Sequence, residues 1–96
     1  MIDFRFPLRL RDYIGLYQVS RIRNLSINHY FAFQKYQGKL LCRFFMSRGI
    51  NISGKKLLDL GSGPGGYSSA FDDCGANVVR VDLNPNANYQ GVSCVN

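Results

Sequence analysis

Three glycines, Gly61, Gly63 and Gly66, stand in the spacing G-x-G-x-x-G, with Asp59 two residues before the first and Asp82 21 positions after it. Glycine at the turning points of a loop admits positive φ and carries no Cβ, so the backbone can lie close against a ligand. A helix opening directly behind such a loop aims N–H groups and a positive dipole end at whatever fills it. An ionised carboxylate about 20 residues further on is acceptor-only and suits the two hydroxyls of a ribose. Glycine loops also arise by chance. The pattern gains meaning only where a strand leads in and a helix leads out.

The flanking sequence predicts those elements. Lys56-Leu57-Leu58-Asp59-Leu60 reads as a short apolar strand, Tyr67 to Cys74 as a short helix with Gly75 at its C-cap, and Val78-Val79-Arg80-Val81-Asp82 as a second strand. Pro85, after Leu83-Asn84, suits the start of another helix, and Val92 to Val95 the beginning of a third strand. Strand, loop, helix and strand make a βαβ unit. Such units build parallel sheets with the ligand crevice outside the carboxyl ends of the strands.

Upstream, the turn Asn51-Ile52-Ser53-Gly54 divides the chain in two. From Phe33 to Arg48, Phe33, Tyr36, Leu40, Leu41, Phe44 and Phe45 recur at helical offsets and draw one apolar face, with Gly49 as a stop. Lys35, Lys39 and Arg43 form a basic stripe at i, i+4 and i+8. Residues 1–32 read either as an arm or as a helix. Phe4, Phe6, Leu8 and Leu10 alternate with Arg5, Arg9 and Arg11 as in a strand, and Pro7 interrupts the pattern.

The acids narrow the ligand. A dinucleotide would bring a pyrophosphate to the loop, where the Asp59 carboxylate would repel it. S-adenosylmethionine has no phosphate and carries an amino group and a sulfonium, both positive, so an acid at the mouth of the first strand suits it better. A Walker phosphate loop is excluded by spacing, because Gly54-Lys55-Lys56 precedes the strand instead of following it.

The run Asp59-Leu60-Gly61-Ser62-Gly63-Pro64-Gly65-Gly66-Tyr67-Ser68 resembles the first motif of class I S-adenosylmethionine-dependent methyltransferases, and Val79-Arg80-Val81-Asp82-Leu83-Asn84-Pro85 resembles the second. Gln34-Lys35-Tyr36-Gln37-Gly38 looks like the helix before the first strand in many members acting on small molecules. The resemblance covers residues 33–95. It implies that Gly65 is cofactor-binding and that Gly61, Ser62 and Gly63 line the methionine part of S-adenosylmethionine. Asp59 would then lie near its amino group, Asp82 on the ribose hydroxyls, and Leu83 against the adenine. Tyr36 is read as a core residue, with closure over the cofactor as the alternative. The fold class implied is α/β: a truncated Rossmann-like parallel sheet of the first two to three strands, preceded by an N-terminal helical segment. On this reading 33–96 is the front of a domain left incomplete at Asn96, and the 96-residue chain alone is inactive; the alternative is a non-catalytic remnant that keeps the binding motif.

The remaining features bound the partners. Apolar residues make up 46%, which fits a globular chain and excludes wholesale disorder. Residues 1–56 hold eleven basic residues against Asp3 and Asp12, a balance of +9. That charge is read first as a solvated surface, and otherwise as a face for an anionic partner such as nucleic acid or lipid. A small-molecule methyl acceptor is the first expectation and RNA the second, with self-association through an open sheet edge. Cys42, Cys74 and Cys94 are odd in number and widely spaced, which suggests neither a disulfide framework nor zinc. No apolar run reaches the ~18 residues of a membrane span, so the cytoplasm is the expected compartment. His29, the single histidine, is read as a surface or capping residue, and no catalytic base is identified.

Overall fold

The computed structural model describes residues 9–82 and the strand pair at 94–95. The elements run α1 (Leu10–Ile22), α2 (Ile27–Ser47), β1 (Lys56–Leu60), α3 (Gly66–Asp73), β2 (Asn77–Val81) and β3 (Cys94–Val95). Leu83, the helix expected at Pro85 and the alternation over residues 4–8 lie outside the described residues. Leu10 and Arg11, the described end of that alternation, are helical and not strand.

α2 starts at Ile27, six residues before the expected Phe33. Its N-cap is Ser26, whose hydroxyl accepts the His29 N–H at 3.2 Å and pairs with His29 Nδ1 at 2.6 Å. A serine cap of this kind contributes about 1 kcal/mol. His29 thus takes part in the cap, within its reading as a surface or capping residue. The expected apolar face is turned inward: Leu40 is buried, and Phe33, Tyr36, Leu41, Phe44 and Phe45 are half-buried.

α1 folds back on α2 through polar contacts. Asp12 accepts the Arg9 N–H at 2.8 Å and holds both ends of the Arg43 guanidinium, at 3.1 and 2.6 Å. That bidentate pair, followed by the Arg9 amide, keeps the Asp12 carboxyl at about 2, below its ordinary 3.8. The Tyr36 hydroxyl donates to the Asp12 carbonyl at 3.1 Å, and a Cβ on Gly15 would run into the Tyr36 ring. Tyr36 is therefore a residue of the helix–helix contact, and its hydroxyl is engaged there.

The sheet is parallel, in the order β1-β2-β3, with Lys56 opposite Asn77, Leu60 opposite Val81 and Arg80 opposite Cys94. α3 links β1 to β2, so the βαβ unit expected from the sequence is formed. Strand alternation puts Leu57, Asp59, Val78 and Arg80 on the more buried face, and Leu58, Leu60 and Val79 on the open one. α2 and α3 pack closely because Gly38 faces Ala70 and Tyr67; a Cβ on Gly38 would come within 2.7 Å of the Ala70 Cβ. Among the described residues the buried apolar ones are Leu40, Cys42, Ile52, Ala70 and Ala76. Burial, followed by the neighbouring Cys74, pushes the Cys42 thiol up to about 12, which keeps it protonated and unreactive.

Candidate functional site

The site is built where β1 and β2 end side by side. Beyond Leu60 the chain turns over the neighbouring strand: Gly61 and Ser62 both give their N–H groups to the Val81 carbonyl, at 2.7 and 3.2 Å. The turn needs φ of +66° at Gly61, +57° at Gly63 and +92° at Gly65. A side chain at any of the three would be strained. A Cβ on Gly61 would meet no atom of the described residues within 4 Å.

Both acids are anchored at this end of the sheet. The Asp82 carboxylate accepts the Gly63 N–H at 2.7 Å and so spans the loop and the end of β2. The Asp59 carboxylate accepts the Ser68 hydroxyl at 2.6 Å, from the first turn of α3. Each acid is half-buried. Asp59, Gly61, Ser62, Gly63, Gly65 and Asp82 are thus brought to one end of the sheet, as the spacing predicts.

Two residues that the sequence reading did not assign complete the loop. Arg80, only 1% exposed, lies beneath it, with Nε donating to the Ser62 hydroxyl at 3.1 Å and a terminal nitrogen to the Gly63 carbonyl at 2.7 Å. Gly65 lies so close to this guanidinium that a Cβ there would approach it to 2.6 Å. The signal in the sequence was a charged residue at an inward position of the apolar strand Val78-Val79-Arg80-Val81. Buried arginines persist only where their donors are satisfied. The second residue is Gln34, buried on α2, whose Oε1 accepts the Gly66 N–H at 3.1 Å. That amide, expected to serve a ligand at the head of α3, is already engaged. Tyr67 is tied to α2 in turn, its hydroxyl donating to Gln37. Burial first, then the nearby Tyr30 and Asp59, raises the Tyr67 hydroxyl above its ordinary value, so it remains a donor at neutral pH.

An apolar cleft of about 410 Å³ opens beside β1, with Leu41, Phe45, Leu57, Tyr67 and Phe71 among its walls and Asp59 and Ser68 at its polar end. Carboxylates stand at two points, the glycine backbone can be approached closely, and no group of three or more metal-ligating side chains gathers among the described residues. Among those residues no helix is long and apolar enough to cross a membrane.

Comparison with known proteins gives short matches. A segment of 42 residues, 44% of this chain, is 43% identical to a ribosomal RNA large subunit methyltransferase E of Wolbachia pipientis wMel and covers 22% of that protein. Segments of 40 and 39 residues are 42% and 41% identical to uncharacterized methyltransferases of Mycobacterium ulcerans and Mycobacteroides abscessus, covering 16% and 15% of them. The chain therefore matches about a fifth or less of the length of these relatives. No family model and no solved structure matches it.

Proposed function

We propose that this chain forms the S-adenosylmethionine-binding portion of a class I, Rossmann-like methyltransferase domain. The observation that carries this reading is the Gly63 amide held on the Asp82 carboxylate at 2.7 Å, which fixes an acidic residue over a glycine loop at the carboxyl ends of two parallel strands. The partial likeness to methyltransferases supports it. When bound, the cofactor supplies an electrophilic methyl group on its sulfonium.

The chain's own residues do the holding. Gly61, Ser62, Gly63 and Gly65 offer backbone against the methionine portion. Asp59, set by Ser68, stands for the amino group. Asp82, which holds the loop through the Gly63 amide, is proposed for the ribose hydroxyls. Leu83, next in sequence, is proposed for the adenine face by resemblance. Arg80 keeps Ser62 and Gly63 in place from below. Methyl transfer is an in-line displacement, so alignment and exclusion of water are the main contributions of such a site. The cytoplasm is the proposed compartment, supported by the free thiols of Cys42 and Cys74.

For the acceptor, a small molecule rests on the likeness of α2 to small-molecule members. The alternative attached to that helix, Tyr36 closing over the cofactor, loses its support because the hydroxyl is bonded to Asp12. An RNA acceptor is favoured by the basic surface of α1, and one relative is named for ribosomal RNA.

The test is a titration of the isotopically labelled chain with S-adenosylhomocysteine, followed by amide NMR. Shifts are expected at Gly61, Gly63 and Asp82, and they should weaken in Asp82→Ala. Each lost bond to the carboxylate is worth about 1.5–3 kcal/mol. Shifts elsewhere, or a stronger response to NAD, would overturn the reading.

A further inference from the structure

The helix α1 buries one face and leaves a patterned one outside. Asp12 is buried, and Gly15, Leu16 and Val19 are half-buried on the inner side. Outside, Tyr13 and Tyr17 are 55% and 64% exposed, one turn apart, and Arg21 follows one turn later with its guanidinium 5.8 Å from the Tyr17 ring centre. A second such unit lies beside the α1–α2 turn. The Arg23 guanidinium stands 5.3 Å from the centre of the Phe33 ring, which in turn sits 6.3 Å from Tyr30.

The charge here is of one sign. Residues 9–26 contain Arg9, Arg11, Arg21 and Arg23, and their single acid, Asp12, is buried on Arg43. No exposed carboxylate in this segment opposes the arginines. Farther along, Lys35 is paired with Asp73 at 3.2 Å, so the stripe on α2 is partly spent inside the molecule, while the arginines of α1 are exposed.

We propose that this face of α1, with the α1–α2 turn, binds single-stranded RNA: bases stack on Tyr13 and Tyr17 and the phosphates run along Arg21 and Arg23. Exposed rings beside guanidinium groups match unpaired bases on an anionic backbone, and splayed bases are what RNA loops present. A duplex keeps its bases stacked and out of reach of these rings. A lipid surface asks for a continuous apolar band. Leu10 and Ile14 are exposed on this face too, but Gln18, Arg21 and the two tyrosine hydroxyls interrupt the apolar surface they form, and the inner face is committed to α2. The inference names the acceptor class for the methyl-transfer reading and to that extent rests on it, although the surface binds without cofactor.

The test is fluorescence anisotropy of a labelled oligouridylate about 12 nucleotides long, without S-adenosylmethionine, over about 50 to 200 mM salt. The paired variant Tyr13→Ala/Tyr17→Ala should weaken binding about 10-fold or more, and Tyr13→Phe/Tyr17→Phe should keep it, because a ring suffices. Replacing Arg21 and Arg23 by glutamine should lower the salt slope by about 1.4. Wild-type affinity in the alanine pair, equal affinity for duplex RNA, or tighter binding to vesicles of phosphatidylcholine and phosphatidylserine would each overturn the proposal. The assay contains no cofactor, so failure of S-adenosylhomocysteine to bind leaves its result standing.

Discussion

A terminal nitrogen of Arg80 donates to the Gly63 carbonyl at 2.7 Å while the Gly63 amide donates to Asp82 at the same distance, so one peptide segment is gripped by two side chains of one strand end. Arg80→Met removes the lower grip. It leaves the Gly63 carbonyl short of a charged donor and opens space under Gly65. A loss of about 2–3 kcal/mol in unfolding free energy is expected, with Arg80→Lys recovering part of it. Urea denaturation measures it. An unchanged midpoint in Arg80→Met would show that the guanidinium does not support the loop.

Gly66→Ala sets two effects against each other. Alanine is better than glycine in a helix by about 1 kcal/mol. The added methyl, however, would press on Gln34, on the Phe31 carbonyl at 2.5 Å and on the Lys35 amide at 2.8 Å, all on α2. Overpacking against backbone costs about 1–3 kcal/mol, so net destabilisation is expected. Thermal unfolding decides the sign, and a stabilised variant would mean that α2 is not seated against the loop.

The Asp12–Arg43 pair gives a pH signature. The folded carboxyl sits at about 2 against an ordinary 3.8. A depressed folded value contributes stability above the unfolded value and loses it as pH falls through the folded one. The contribution of Asp12 is therefore whole at neutral pH and disappears between about pH 4 and pH 2. Melting temperatures of wild type and Asp12→Asn should converge in that window and separate above it. A constant gap across the range would remove the pair from the account.

The open side of β1 predicts self-association of the 96-residue chain. β1 is the edge of the described sheet, with Leu58 and Leu60 exposed by 63% and 71%. Unpaired strand edges carrying apolar residues recruit other edges. Sedimentation at about 100 μM should find species larger than a monomer, and Leu58→Lys/Leu60→Lys should return the monomer. A wild-type monomer at that concentration would refute the expectation.

The βαβ unit was legible because its signals are local. The glycines fix the loop, and the apolar runs fix the strands to within a residue or so. The same spacing placed Asp59, the loop and Asp82 together. α1 was not legible, since Tyr13, Ile14, Tyr17, Val19 and Ile22 favour strand and Gly15 disfavours helix. Contacts far along the chain hold it helical: Arg43 on Asp12, and Tyr36 against Gly15. The start of α2 was missed because Ser26 marks a cap only once the helix behind it is known. The strand pattern marks Arg80 as an inward charge, but its partners, 18 and 17 residues away, are not legible within the strand.

Gln34 reaches the Gly66 amide across 32 residues of chain. The last hydrogen bond of the glycine loop therefore cannot close until the intervening segment has been brought round, an entropic cost paid before any contact rewards it. The Gly66 proton is in consequence a clock for docking. Its exchange with deuterium slows only when α2 is seated on α3, and it follows that event separately from the melting of either helix.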